Sequence, residues 1–234
     1  MIVYGRNPVR EALRGRRRVS RAWATERVIG EQWLRGVAVT VADRDALTEL
    51  CGSPDHQGVC AEAGAYPYAP VEGLLAAEDA LVVCLDQVQD PRNLGAICRV
   101  AECAGAAGVV IAERRAAEVT PVVCRASAGA VEHLAVARVR NVADYLGEAK
   151  RAGAWVYGAA LEGAVPYQAP DYRGRVVLVL GAEGAGLRPR VASTCDELVA
   201  LPVRGRVRSL NVAAAAAALV YGILQRRGTV DSAS

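Results

Sequence analysis

Residues 176–187 are Val-Val-Leu-Val-Leu-Gly-Ala-Glu-Gly-Ala-Gly-Leu. An apolar run followed by closely spaced glycines predicts a buried strand, Val176–Leu180, that ends in a tight turn. The turn lacks the Gly-x-Gly-x-x-Gly spacing of dinucleotide-binding loops and the Gly-Lys-Ser/Thr ending of phosphate-binding loops. Glu183 would repel a pyrophosphate but accept a cation, a ribose hydroxyl or an amine. The turn therefore disfavours a nucleotide-dependent oxidoreductase, and a turn without any ligand is the alternative.

The rest of the second half repeats this alternation of apolar strands and helices. Valine-rich strands flanked by helices are typical of a parallel sheet that is covered on both faces. The predicted fold class is therefore α/β. The predicted strands are 80–85, 108–112, 131–138, 155–160, 176–180 and 198–201, and the predicted helices are 94–104, 122–130, 142–152 and 209–225.

The first 65 residues predict a smaller α/β unit. Strands are expected at 19–25, 37–41 and 59–63, with helices at 9–14, 28–34 and 44–51, the last capped by Asp43. Tyr66-Pro-Tyr-Ala-Pro70 is the best linker candidate because it holds two prolines and little periodicity. The predicted organisation is one domain at 1–65, a linker at 66–79, a second domain at 80–228 and a tail at 229–234.

The stretch Arg204–Leu219 joins a basic turn to the final helix. Three arginines at alternate positions precede Ser209-Leu210-Asn211, and an alanine-rich run with high helix propensity follows. Ser209 or Asn211 is a candidate N-cap, which would place the basic turn at the positive end of the helix. Such a place suits a phosphate or a carboxylate. An ordinary capped helix with solvated arginines is the alternative.

The stretch Leu85–Glu102 joins a strand end, a polar loop and the start of a helix near Asn93. Asn93 and Arg99 are six positions apart, so they share a helix face only if Asn93 lies in the preceding turn. Arg99 and Glu102 are three positions apart and can pair on one face. A surface salt bridge beside an N-cap is the alternative.

Charge and composition limit the class of protein. The net charge is only +3, yet arginines cluster in residues 1–35, and a clustered basic face indicates a nucleic-acid partner. Seven cysteines without a Cys-x-x-Cys pair, together with two histidines, argue against a zinc site. The N-terminus has no signal-peptide pattern, and no apolar run is long enough to span a bilayer. We expect a cytoplasmic protein without a metal site.

Together, three segments of the chain resemble the SpoU family of RNA ribose 2′-O-methyltransferases, which are knotted enzymes. The order and spacing of the motifs over residues 80–226 make the resemblance specific. The first motif is matched by Pro91, Asn93, Gly95, Arg99 and Glu102, the second by Leu180–Leu187, and the third by Leu201-Pro202 and Ser209-Leu210-Asn211.

The N-terminal segments 3–13 and 56–59 resemble the ribosomal-protein-like RNA-binding domain of the bacterial branch that modifies a guanosine of large-subunit ribosomal RNA. The resemblance implies a C-terminal trefoil knot, a homodimer and an S-adenosylmethionine site built from the knot loops. It implies that Gly181, Leu201 and Leu210 contact the cofactor, mostly through backbone groups. Leu180 and Ala160, with Leu161, are expected to line the same pocket.

The resemblance also implies roles for polar residues. The family view makes Arg99 the base that deprotonates the ribose hydroxyl. Because arginine stays charged at neutral pH, Arg99 can equally hold a phosphate and stabilise the developing alkoxide. Asn93 is expected to position Arg99 or the ribose, Glu183 to orient Arg99 or the knot loop, and Ser209 and Asn211 to bind the target nucleotide or brace the loop. The residues expected to bind RNA are Arg6, Arg17, Arg18, Arg204 and Arg206.

Three other functions compete with a ribosomal RNA methyltransferase. A transfer-RNA ribose methyltransferase of the same family is disfavoured by the N-terminal domain, and an antibiotic-resistance methyltransferase is barely distinguishable by sequence. A non-catalytic RNA-binding module would have a degraded cofactor loop, whereas the loop glycines and Asn211 are present here.

Overall fold

The computed structural model describes residues 1–207 and 209–231. Residues 2–63 form a four-stranded sheet in the order β1-β4-β2-β3, in which β4 is antiparallel to both of its neighbours. The elements of this domain are β1 (Ile2–Tyr4), α1 (Arg6–Arg14), β2 (Val19–Ala24), α2 (Glu26–Ile29), β3 (Val39–Val41), α3 (Arg44–Cys51) and β4 (Val59–Ala63).

Two helix predictions in this domain had different outcomes. Asp43 caps α3 as predicted, since its carboxylate accepts a hydrogen bond from the backbone N–H of Ala46 at 2.8 Å. The single helix predicted over 28–34 is wrong, because α2 ends at Gly30 and only a 3₁₀ turn, Gln32–Leu34, follows. Glycine is a poor helix former, which accounts for the break.

The second half forms a sheet in the order β7-β6-β5-β10-β8-β11-β9, and its paired strands are parallel. The predicted parallel α/β fold is confirmed. Its strands are β5 (Leu81–Asp86), β6 (Gly108–Ala112), β7 (Val136–Val139), β8 (Trp155–Ala159), β9 (Val165–Pro166), β10 (Val176–Gly181) and β11 (Glu197–Ala200). Its helices are α4 (Pro91–Cys103), α5 (Pro121–Ala126), α6 (Val142–Arg151), α7 (Pro189–Thr194) and α8 (Val212–Asp231).

Helices cover both faces of this sheet. On one face, α4, α5 and α8 pack over a core that includes Leu85, Leu178 and Ile223; on the other, α6 and α7 pack over a core that includes Val82 and Val177. Because neighbouring strands are parallel, the loops after β5, β8, β10 and β11 leave from one edge of the sheet. This edge is where ligands bind in open α/β sheets.

Several predicted boundaries in this half are wrong; the helix predicted over 122–130, for example, ends at Ala126. The strand predicted over 131–138 begins only at Val136, because a 3₁₀ turn, Ala130–Glu132, precedes it. The last helix begins at Val212 rather than 209, because the Asn211 side chain accepts hydrogen bonds from the N–H groups of Ala213 and Ala214. The same helix continues to Asp231, so residues 229–231 of the predicted tail are helical and 232–234 lie outside the described residues.

The two domains are joined by a continuous core rather than by a loose tether. Val9 and Ala12 of α1 belong to the same apolar cluster as Leu94 of α4 and Val123 of α5. Inside the predicted linker, the Tyr66 hydroxyl contacts the carbonyl oxygens of Val131 and Leu134 at 2.9 and 3.0 Å. The N-terminal domain is therefore held at a fixed position against the parallel-sheet domain.

Candidate active site

The three motif segments meet through the side chain of Asn93. Asn93 lies in the first turn of α4 and is buried. Its Nδ2 donates to Oε2 of Glu183 at 3.3 Å, and its Oδ1 accepts from Nδ2 of Asn211 at 2.9 Å. One amide thus links the helix after β5, the glycine-rich turn after β10 and the start of α8.

A second contact fixes the glycine-rich turn to the end of β5. Asp86 is the last residue of β5 and is fully buried. Its Oδ1 accepts a hydrogen bond from Nε of Arg188 at 2.8 Å and forms an ion pair with Nη2 at 2.7 Å, and its Oδ2 accepts from the Arg188 backbone N–H at 3.0 Å. A buried carboxylate with two hydrogen bonds and an ion pair holds residue 188, and therefore the loop, in one position.

Neither Asp86 nor Arg188 matches a motif that predicts a site residue. The available signal was one acidic residue at the end of an otherwise apolar strand, since such a residue needs a partner when it is buried. The sequence does not indicate which residue pairs with Asp86, because 102 positions separate it from Arg188.

The glycine-rich turn folds back on the end of β10. The backbones of Ala182 and Gly186 exchange hydrogen bonds at 3.1 and 2.9 Å. A Cβ atom at Gly181 would lie 2.1 Å from the carbonyl carbon of Gly186, so residue 181 has no room for a side chain. Gly181 is paired in register with Asp86, which places the turn beside the Asp86–Arg188 contact.

The loops around this turn carry exposed apolar side chains. Leu161 after β8 is 57% exposed, and Leu210 before α8 is 51% exposed. Among the described residues of 201–210, no backbone-to-backbone hydrogen bond is present. Ala160 and Leu201 are partly exposed at the ends of β8 and β11, whereas Leu180 is 1% exposed within β10.

The predicted catalytic residues do not all touch one another. Arg99 is exposed on α4, and within the described residues it has no hydrogen bond or ion pair, so neither the expected pair with Glu102 nor contact with Glu183 is formed. Glu183 contacts Asn93 instead. Arg99 lies six positions after Asn93 on a continuous helix and therefore points from a different face. Ser209 is exposed and has no hydrogen bond to the described residues.

The predicted RNA-binding arginines differ in exposure. Arg6, Arg18, Arg204 and Arg206 are exposed, although Arg6 also pairs with Glu31 at 2.9 Å. Arg17 is only 7% exposed, and its guanidinium binds Glu132 and the carbonyl oxygen of Gly64. The prediction for Arg17 is wrong, because an ion pair between the two domains uses this side chain. Arg208 lies outside the described residues.

The thiols close to this edge are poor nucleophiles. Burial raises the pKa of Cys195 to about 11, and burial together with the nearby Asp86 charge also raises the pKa of Cys84. Among the described residues, no group of three or more His, Cys, Asp or Glu side chains is arranged to hold a metal ion. None of the helices described here is both long and apolar enough to cross a membrane.

Comparison with known protein families gives two adjacent matches. Residues 80–221 match the model of the SpoU rRNA methylase family, and residues 2–69 match the model for RNA 2′-O ribose methyltransferase substrate binding. The boundary between the matches falls within the predicted linker.

Individual relatives match most of the chain. The 23S rRNA (guanosine-2′-O-)-methyltransferase RlmB of Acinetobacter baylyi is 40% identical over 198 residues, covering 82% of this chain and 80% of the relative. The TrmH family tRNA/rRNA methyltransferase YacO of Bacillus subtilis is 36% identical, covering 97% and 96%. The crystal structure of the SpoU methyltransferase AviRb from Streptomyces viridochromogenes in complex with AdoMet has a TM-score of 0.82 and 27% identity, covering 98% of this chain and 91% of AviRb.

Proposed function

Because this chain belongs to the SpoU family of RNA ribose 2′-O-methyltransferases, we propose that it methylates the ribose of one guanosine in 23S ribosomal RNA. The resemblance inferred from the motifs is confirmed, and S-adenosylmethionine is the cofactor of the family. The identity of the RNA is the proposed part. It is supported by the 40% identity with a 23S rRNA guanosine methyltransferase.

The observation that favours an enzyme over a non-catalytic RNA-binding module is the junction at Asn93. The hydrogen bonds from Asn211 to Asn93 and from Asn93 to Glu183 join residues that are 118 and 90 positions apart. A non-catalytic RNA-binding module would not need these three loops in contact. A methyltransferase needs these contacts between loops, because the ribose oxygen must be aligned with the methyl–sulfur bond of the methyl donor.

S-adenosylmethionine supplies a methyl group on a sulfonium, which is already electrophilic. The backbone at Gly181, Leu201 and Leu210 would hold the cofactor at the sheet edge. Asn93 is a positioning residue, since it fixes Glu183 and the start of α8. Arg99 would bind a phosphate beside the target ribose and stabilise the negative charge that develops on the ribose oxygen, while the methyl–sulfur bond breaks, the methyl–oxygen bond forms and the hydroxyl proton passes to solvent.

The N-terminal domain would select the RNA. Arg6 and Arg18 are exposed on this domain, and Arg204 and Arg206 on the loop before α8, so both domains offer guanidinium groups to phosphates. The continuous core between the domains would keep these two basic surfaces at a set separation, and a structured RNA can match such a spacing.

Three further features belong to the proposal. The chain would be knotted, as the resemblance to the family implies; β10 lies between β5 and β8, and the final helix α8 packs on α4. The protein would form a homodimer, as the same resemblance implies. It would act in the cytoplasm, where ribosomal RNA is assembled.

The direct test is a map of ribose methylation across total RNA from cells with and without this gene. The proposal predicts loss of one 2′-O-methylguanosine in 23S rRNA. Loss of a ribose methyl group from transfer RNA would instead identify transfer RNA as the substrate, which the names of several relatives also include. In the same cells, genes encoding Arg99→Ala or Arg99→Lys should fail to restore the mark, and full restoration by either would remove Arg99 from the mechanism.

A further inference from the structure

A cleft of about 710 Å³ opens beyond the loops of the Asn93 junction. Its floor is formed where β6 and β7 end, and its walls come from the first turns of α6 and from Val71. The end of β6 is two strands away from the end of β10, about 10 Å at the usual strand spacing. The cleft and the candidate cofactor loops therefore share one edge of the sheet.

The cleft contains charged groups of both signs without partners. Arg114 and Arg140 are exposed, line the cleft and have no ion pair or hydrogen bond to the described residues; the same is true of the Glu113 and Glu148 carboxylates. The other charged lining residues are already paired, Arg138 with Glu118 at 3.2 Å and Asp144 with Arg190 at 2.6 Å. Two guanidinium groups and two carboxylates thus remain available to a ligand.

A nucleotide offers the complementary set of groups. Its phosphate matches guanidinium groups, the amino and imino N–H groups of its base match carboxylates, and the face of its base packs on apolar side chains such as Val71 and Val139. A free phosphate or a purely anionic ligand would be opposed by Glu113 and Glu148. The mixed charge therefore favours a base together with its phosphate.

We propose that this cleft, between Arg114, Arg140, Glu113 and Glu148, binds a nucleotide of the RNA substrate close to the methylated one. The inference rests on the proposed function and adds a specificity site to it. At about 3.4 Å per nucleotide along a strand, a separation of about 10 Å corresponds to roughly three nucleotides. The cleft would read the sequence beside the target, and the cofactor loops would act on the target itself.

The test uses the full-length protein and unmodified 23S rRNA transcribed in vitro. The Arg114→Ala/Arg140→Ala variant is compared with Arg151→Ala/Arg173→Ala, which removes the same charge from exposed positions outside the cleft. RNA binding is measured over a range of salt concentrations, and kcat and KM for RNA are measured separately. The cleft variant should lower the slope of log affinity against log salt by about one to two, and raise KM for RNA at least ten-fold with kcat little changed. Equal slopes and KM values for the two variants would overturn the inference.

The Glu113→Gln/Glu148→Gln variant separates base recognition from general electrostatics. Removing two negative charges would strengthen RNA binding if these carboxylates only repelled phosphates. If they accept hydrogen bonds from a base, KM for RNA should rise several-fold although the protein becomes more positive. A lower KM would contradict the inference.

These experiments distinguish an error in the inference about the cleft from an error in the proposed function. If the wild-type protein transfers no methyl group to 23S rRNA, the proposed substrate is wrong. If it does so, and the cleft variants match the wild type in salt slope and KM, only the cleft inference fails.

Discussion

The side chain of Asn211 donates a hydrogen bond to Asn93 Oδ1 at 2.9 Å, across 118 positions of the sequence. The same Asn211 side chain caps α8 through its Oδ1, which accepts from the N–H groups of Ala213 and Ala214. Asn93 in turn donates a hydrogen bond from its Nδ2 to Glu183. The start of the last helix, the first turn of α4 and the glycine-rich turn are therefore held in place by one pair of amides.

Replacing Asn93 should disconnect these loops. Asn93→Ala leaves Glu183 and Asn211 without their shared partner, and hydrogen bonds that involve a charged group contribute about 1.5–3 kcal/mol. We expect kcat/KM for methyl transfer to fall roughly ten- to a hundred-fold. Asn211→Ala should lower kcat/KM by a comparable factor. The loss of transition-state free energy in the double variant should be smaller than the sum of the losses in the two single variants, because both residues form one contact. Strictly additive losses would show that the two amides act independently.

The Asp86–Arg188 contact should control cofactor affinity. Arg188→Ala frees the glycine-rich turn from β5, and Arg188→Lys keeps the charge but loses the two-pronged guanidinium geometry, so lysine should restore binding only in part. The matched control is Arg190→Ala, since Arg190 pairs with an exposed carboxylate at Asp144 and such surface pairs contribute about 0–1 kcal/mol. Calorimetric titration with S-adenosylmethionine should show weakened binding for Arg188→Ala and near-normal binding for Arg190→Ala. If Arg188→Ala and Arg190→Ala bound S-adenosylmethionine with equal affinity, the Asp86–Arg188 contact would not control cofactor binding.

A side chain at residue 181 should disrupt the glycine-rich turn and prevent cofactor binding. The Cβ atom of Gly181→Ala would meet backbone atoms of Gly186 at about 2 Å, and backbone cannot move aside as a flexible side chain can. We expect loss of S-adenosylmethionine binding in the same titration. Gly73→Ala is the control, because a Cβ atom there meets nothing within 4 Å. Cofactor binding by Gly181→Ala at the wild-type affinity would show that the turn is not part of the cofactor site.

The buried pair between Arg17 and Glu132 should stabilise the junction of the two domains. Both side chains are at most 2% exposed, so removing one partner leaves an uncompensated buried charge. Arg17→Met or Glu132→Gln should lower the free energy of unfolding by about 3–5 kcal/mol, and Arg17→Met/Glu132→Leu should recover much of this loss. Urea unfolding of the three variants measures both effects. If the double variant loses as much as the two single variants combined, the two side chains do not act as a pair.

The general fold was predictable because its signals are local. The apolar run before Gly181 and the similar run ending at Leu85 predict buried strands of a covered sheet, and both are found. The short helix α7 is not predictable, because its six residues, Pro189–Thr194, show no apolar periodicity. The strand predicted before Val136 is wrong, because a short apolar run does not by itself determine the type of secondary structure.

The site was predictable only in part, because its contacts are long-range. Motif spacing selected Asn93, Glu183 and Asn211, and the structure brings their side chains together. An arginine-rich segment does not reveal that Arg17 meets Glu132, 115 positions later. The buried partner changes the role of Arg17 from binding RNA to holding the domains together.

The most direct test of the account is methyl transfer by the purified protein. S-adenosylmethionine labelled with tritium in its methyl group is incubated with unmodified 23S rRNA, which is then digested to nucleosides and separated. We expect the label to appear in 2′-O-methylguanosine, at a single position, and Arg99→Ala protein to transfer little of it. Label in a methylated base, or no transfer by wild-type protein that binds the cofactor, would contradict it.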